Sequence, residues 1–356
     1  MQLRHNLPPM RYLPLILLGL ASVITGCGAS DSDSPLAASA PPEEVRLGYF
    51  GNVTHAQAAL GVASGDFANA VAPAKFSTKV FNAGPSLIEA LFSNNIDIGY
   101  VGPGPALSAH QKSRGEGIRV VAGAAANGVL IVARKDANIT TLKDLAGKRV
   151  ATPQAGNTQD IAARWYLTKK LGQKDANNVM PIANAEQQGM MSRGEIDAAW
   201  VPEPWGSRLI TENGATLVAK ENEELWPHKK FVLTVVVTTP QFLAKHPDVV
   251  RKVLGVHAQW TQRLRDNPAA YSSQLGDALF ALSGKKLPPG VLDASLKNVE
   301  FTLDPLDETF QTMGQWAYDV GFAKEPAKLE NLIDTTLLQQ VKGSSGAATS
   351  QPATQP

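Results

Sequence analysis

From Val45 the chain alternates short runs of β-branched and aliphatic residues with segments whose apolar positions recur every three to four residues. "VRLGYF", "FSTKVF", "IDIGYV" and "IRVVAGA" carry the first pattern and read as strands; "PSLIEALFS" carries the second and reads as a helix. The rhythm resumes with "VLIVARK", "KRVAT", "NVMPI", "IDAAWV", "ATLVAK" and "FVLTVVVTT". Strands alternating with helices predict an α/β protein of mostly parallel sheets with helices on both faces. After Pro240 the strand pattern stops, and "DVVRKVLGVHAQWTQRLRD", "AAYSSQLGDALFALSG" and "DETFQTMGQWAYDVGF" read as helices. This last third is expected to cap one lobe.

The pattern also repeats. "IDIGYVGPGP", residues 96–105, aligns with "IDAAWVPEPW", residues 196–205, placing Asp97 over Asp197, Tyr100 over Trp200 and Val101 over Val201. "YFGNVT", residues 49–54, matches "QAGNT", residues 154–158, at a similar offset. Two such matches point to two lobes built on one plan. Loops leaving the carboxyl ends of parallel strands line the crevice where ligands bind, so these four loops predict a site in an interlobe cleft.

Their chemistry suits an anion. In "QAGNTQDIAARWYL" Gly156 permits a positive φ, Asn157 or Thr158 can serve as N-cap, and a helix follows. A helix start exposes unpaired N–H groups with partial positive charge and binds an anion without a formal cation. "GNVTHAQAAL" offers a second start, "AGPSLIEAL" a third with Pro85 suited to the first helical position, and "GPGPAL" a fourth. Each such contact is worth about 0.3 to 1 kcal/mol when exposed and up to about 2 when partly buried. Any one of these loops is equally an ordinary cap; their convergence is the signal. His55 either donates a hydrogen bond, adds charge, or is an exposed first-turn residue. Glu203 would repel an anion, so it either pairs with a cation, meets an amine on the ligand, or points away. Trp205 and Trp200 either wall the cleft or pack in the core, and the strand position of Trp200 favours the core.

Composition narrows the classes. With 44% hydrophobic residues, 18% charged residues and a net charge of +1, the chain is an ordinary globular protein with no field to gather nucleic acid. It carries no Gly-x-Ser-x-Gly, His-Glu-x-x-His, phosphate loop, Cys-x-x-Cys or Gly-x-Gly-x-x-Gly after a strand, and its six histidines show no metal spacing. No catalysis, cofactor or metal is therefore expected. At the start, Arg4 and Arg11 precede "LPLILLGLASVI", too short for the roughly 20 residues that span a bilayer, so residues 1–26 read as an export signal. Cys27 is the one cysteine, preceded by the small residues Thr25 and Gly26. This junction resembles the bacterial lipoprotein signal, which implies lipid on Cys27; the alternative is a soluble exported protein with a spectator thiol. Residues 27–44 read as a flexible linker and 343–356 as a disordered tail.

Taken together, "GPSLIEALFSNNIDIGYVGPGPAL", "VLIVARKDANITTLKDLAGKRVATPQAGNTQDIAARWYL" and "GEIDAAWVPEPWGSRLI" resemble the substrate-binding proteins of ABC importers for aliphatic sulfonates, nitrate, bicarbonate or taurine. The resemblance runs from residue 45 to about residue 250. It implies a two-lobed periplasmic-binding-protein fold of the second type, with lobe one at 45–132 and 236–342, lobe two at 133–235, and "VLIVARK" and "TVVVTTP" as the hinge. The implied ligand contacts are Asn52, Thr54, His55, Gly84, Pro85, Gly104 and Pro105 from lobe one, and Asn157, Thr158, Glu203 and Trp205 from lobe two. "GNTQD" is similar to the sulfonate branch, and "EPW" to the nitrate and bicarbonate branch.

The function so implied is that of a monomeric, lipid-anchored solute-binding protein on the periplasmic or cell-surface side of a bacterial membrane. It would pass a small anion to an ABC permease with its cytoplasmic ATPase. Two alternatives stand beside it: a binder of an amine or nitrogenous heterocycle on the same fold, and a biosynthetic enzyme on the same fold, against which the export signal argues.

Overall fold

Eleven strands appear among the residues that the computed structural model describes, 41–348. The expected export signal, Cys27, most of the expected linker and residues 349–356 lie outside the described residues. The strands are β1 (Glu44–Phe50), β2 (Lys75–Phe81), β3 (Ile98–Val101), β4 (Arg119–Asn127), β5 (Val129–Ala133), β6 (Val150–Thr152), β7 (Val179–Pro181), β8 (Ala198–Pro202), β9 (Thr216–Lys220), β10 (Val232–Thr238) and β11 (Val299–Phe301). They form one sheet in the order β11-β4-β10-β3-β1-β2 and a second in the order β7-β6-β8-β5-β9.

Both sheets are mixed. β1 pairs parallel with β2 and β3, and β6 with β7 and β8, as helical crossovers require. The strands that carry the chain between sheets run the other way: β10 is antiparallel to β3 and β4, and β5 to β8 and β9. β5 and β10 are buried along their whole length, which is why both read as mainly apolar runs, broken in β10 by threonines. β5 lies wholly in the second sheet and β10 wholly in the first. At the first crossing Gly128 has φ +80°, and a Cβ there would lie 2.7 Å from Val299 and 3.4 Å from Thr54, so only glycine fits this turn without strain.

The repeat seen in the sequence is also a repeat of bonds. Arg46 opens onto Asp97 with its own N–H at 2.8 Å, its Nε at 2.9 Å and its second guanidinium nitrogen at 2.6 Å. Arg149 meets Asp197 through the same three groups at 2.9, 3.0 and 2.7 Å. In both places the aspartate N–H returns to the arginine carbonyl at 2.9 Å. The node ties the strand before the first crossover to the loop entering β3 or β8, and the guanidiniums hold Asp197 well below the usual carboxylate range.

Three apolar clusters fill the spaces. One lies under the outer face of the first sheet, where the helix Pro247–Asp266 buries Val249, Val250, Val253, Leu254, Trp260 and Leu264 at helical spacing. A small one covers the outer face of the second sheet around Leu130, Met191 and Leu209. The largest draws on both sheets, from Leu87 and Val235 to Ile131 and Trp200. Trp200 is therefore core, its Nε1–H held by Glu221.

The C-terminal third departs from expectation in three ways. It contains a strand, β11, because "VEF" pairs with the free edge of β4. Its helix Asp307–Asp319 touches both halves and does not cap one: Trp316 stacks on Trp165 at 4.4 Å, and Trp165 Nε1 donates to Asp319 at 3.1 Å. The last helix runs Thr336–Ala348, past residue 342 where the tail was expected to begin.

Candidate functional site

Between the two sheets, the loops leaving β1, β2, β3, β6, β7 and β8 meet β10 around a void of about 20 Å³ that opens to solvent. Asn52, Thr54, His55, Asn157 and Thr158, expected as contacts, line it. So do Asn82, Gly102, Gln159, Asn184 and Thr234, which the sequence reading missed. None of its lining residues is Asp, Glu, Lys or Arg.

His55 is fixed as a neutral donor. Its ring is buried and stacks on Phe50 at 4.4 Å, and its Nδ1 accepts the N–H of Phe50 at 3.3 Å. With Nδ1 accepting, the proton sits on Nε2. Burial pushes the pKa down to about 3, so the expectation that His55 adds charge is corrected. Thr234 is buried within β10, and its hydroxyl has no hydrogen-bond partner in the protein. A buried hydroxyl without a partner is costly unless something enters the cleft to meet it.

Asn52 and Asn157 occupy equivalent N-cap positions, and neither side chain closes its own cap. Asn52 Oδ1 instead accepts Trp205 Nε1–H at 2.9 Å across the cleft, and Asn157 Nδ2–H donates to Gln159 at 3.1 Å. The helices Thr158–Trp165 and Asn184–Ser192 both begin at the void, so their first turns carry N–H groups that their own helices leave unpaired.

The other expected contacts are placed differently. Pro103 and Pro105 have no N–H, and the Gly104 N–H donates to Thr158 Oγ1 at 3.2 Å, so the helix Pro103–Lys112 offers no amide to the void. Gly84, Pro85, Gly104 and Pro105 form the wall on that side and do not line the cleft. The Gly156 N–H goes to Asp160 at 2.9 Å, a buried carboxylate that also takes the Thr152 hydroxyl and Arg164. Four converging helix tips are thus corrected to fewer tips and more side chains.

Glu203 points away. Its carboxylate accepts Ser207 N–H at 3.0 Å, Ser207 hydroxyl at 2.7 Å, Ser295 hydroxyl at 3.2 Å and Asn298 Nδ2–H at 2.7 Å, while burial pushes its pKa up. Ser295 and Asn298 belong to the helix Val291–Asn298, so Glu203 ties the second half to the C-terminal third. Trp205 stands beside the void, held by Asn52 and covered by Arg208 at 5.6 Å. Among the described residues no cluster of three or more His, Cys, Asp or Glu could hold a metal, and no helix is long and apolar enough to cross a membrane.

Comparison with known proteins agrees with this architecture. The taurine-binding periplasmic protein of Escherichia coli is 29% identical over 239 residues, covering 66% of this chain and 71% of that protein. The alkanesulfonate-binding protein of Xanthomonas axonopodis pv. citri, solved with MOPS, superposes with a TM-score of 0.65 at 23% identity, over 85% of this chain and 99% of that one. The periplasmic nitrate-binding protein of Synechocystis superposes with a TM-score of 0.70 at 13% identity, over 87% and 91%. These structural likenesses establish the shared periplasmic-binding-protein fold. The NMT1-like family profile matches residues 38–274, well over half the length, and the chain belongs to the NMT1-like family.

Proposed function

We propose that this protein is the solute-binding component of an ABC importer and that its cleft holds a small oxyanion, an organosulfonate in the first instance. The observation that carries the reading is the charge-free lining: a His55 fixed as a neutral donor, the unpartnered Thr234 hydroxyl and the side-chain amide of Asn184 face one void. Donors without formal charge, drawn from both halves, stabilise a monoanion without a competing counter-charge. The named ligands of the relatives, taurine, alkanesulfonates and nitrate, fall in the same chemical range. An amine-binding reading loses its main residue, since Glu203 is committed to Ser207, Ser295 and Asn298.

Closure of the half that holds β5 to β9 on the half that holds β10 would trap the ligand, and the closed form would be what a permease receives. Export by residues 1–26 and a lipid on Cys27 belong to the same reading. Thermal unfolding with methanesulfonate, taurine, nitrate, bicarbonate and pyrimidines tests the site. A true ligand at a hundred times its Kd stabilises by about 2.7 kcal/mol. Stabilisation by pyrimidines or amines alone refutes the oxyanion reading, and chemical alteration of a recovered ligand refutes a pure binding role.

A further inference from the structure

The helix Gly84–Phe92 presents two faces. Leu87, Ala90 and Leu91 pack into the core, while Pro85, Ile88 and Phe92, spaced by three and four, form a separate stripe. That stripe opens on a pocket of about 340 Å³, against about 20 Å³ for the cleft. The pocket lies in the seam between the halves. Ile88, Phe92 and Pro105 wall it from one half, Gly156 and Ile161 wall it from the other, and Phe322, just past the helix Asp307–Asp319, closes it. It backs onto the cleft. A Cβ on Gly104, which lines the pocket, would lie 3.1 Å from Ile161 and 3.2 Å from the backbone nitrogen of Thr158, which lines the cleft, so the shared wall has no room for a side chain at this point.

The chemistry of this pocket differs from that of the cleft. Phe92 is 43% and Phe322 42% exposed, two aromatic rings open to solvent on the walls of one concavity. Glu89 and Lys112 are the charged residues of its lining, one of each sign and both exposed, so they set no net charge and an ion pair with either contributes little. Small-molecule sites span about 300 to 1,000 Å³, are mainly apolar and favour seams between domains. Aromatic walls add offset or edge-on stacking for a ring that enters.

We propose that this seam pocket is a second binding site, for an uncharged aromatic molecule of about two or three rings, and that its occupant holds the two halves together. The site stands independently of which anion the cleft takes. Because its walls come from both halves, an occupant favours the arrangement in which they meet.

Titration of the full chain with N-phenyl-1-naphthylamine, an uncharged probe that brightens on leaving water, tests the site. One probe binds per chain, with a saturable rise in emission. Phe92→Asp and Phe322→Asp, each confirmed as folded by thermal unfolding, weaken it about tenfold or more. Phe280→Asp, which alters a ring 48% exposed and outside the pocket, leaves it within about twofold. At saturation the probe slows hydrogen exchange of the Gly104 amide, which bonds across the halves to Thr158. Binding that does not saturate, survives the two pocket variants or falls equally in Phe280→Asp overturns the site. Saturable, variant-sensitive binding with unchanged Gly104 exchange upholds the site and overturns its hold on the halves.

Discussion

β3 and β8 are entered through the same arginine–aspartate node, and the loops that leave them diverge. Gly102–Pro105 turns straight into a helix whose prolines and bonded glycine give the cleft no amide; it contributes closeness, since a Cβ on Gly102 would lie 2.5 Å from Thr158 Oγ1. Pro202–Trp205 sends Glu203 away into four hydrogen bonds and Trp205 across to Asn52. The repeat thus supplies the frame, and the loops supply opposite services: one half lets the other approach, the other half holds on.

Changing either loop breaks that contrast in a different observable. Replacing Glu203 with Ala strands the donors of Ser207, Ser295 and Asn298 and lowers unfolding stability by about 2 to 4 kcal/mol, with a smaller loss in Glu203→Gln. Denaturant unfolding checks this, and an unchanged midpoint would mean the carboxylate anchors nothing. Gly102→Ala acts on approach: ligand affinity falls about tenfold or more, roughly 1.4 kcal/mol, with a smaller change in ligand-free stability. A titration showing the reverse ranking would move Gly102 from closure to folding. The shared node sharpens the comparison from the other side. Asp97→Asn should cost about 1 kcal/mol and Asp197→Asn more, because Arg134 also bonds Asp197 at 3.1 Å. Equal melting shifts would show that Arg134 adds nothing to the second node.

The smallest effect expected is none. Folding lowers His55 from 6.5 to about 3, so the unfolded chain takes up that proton first. The His55 contribution to stability is therefore present above about pH 6.5 and lost as pH falls toward 3. Ligand affinity should be level from about pH 5.5 to 8, as the folded ring is neutral throughout. A rise in affinity toward low pH across that window would restore a charged histidine.

Strand positions were legible because apolar runs mark them whichever way they point; direction was not, and β5 and β10 run antiparallel without leaving a trace in periodicity. The rule that ligands gather at the carboxyl ends of parallel strands found Asn52, His55 and Asn157, and applied to "PIANAEQ" it would also have found Asn184. Thr234 left one weak signal, a hydroxyl among valines in a buried strand. The orientation of Glu203 had no local signal at all, since Ser295 and Asn298 lie 92 and 95 residues further along the chain. Gly104 and Gly156 looked like anion-binding turns, and only their own partners, Thr158 and Asp160, showed the amides to be taken.

The helix Asp307–Asp319 gives the molecule an intrinsic optical reporter. Trp316 lies face to face with Trp165 at 4.4 Å and against Trp226 at 4.5 Å, with one of these indoles carried by the helix Thr158–Trp165 that starts at the cleft. Any rotation that widens the cleft must slide these rings past one another, so near-ultraviolet dichroism and tryptophan emission should record opening and closing in the native chain, with no dye attached.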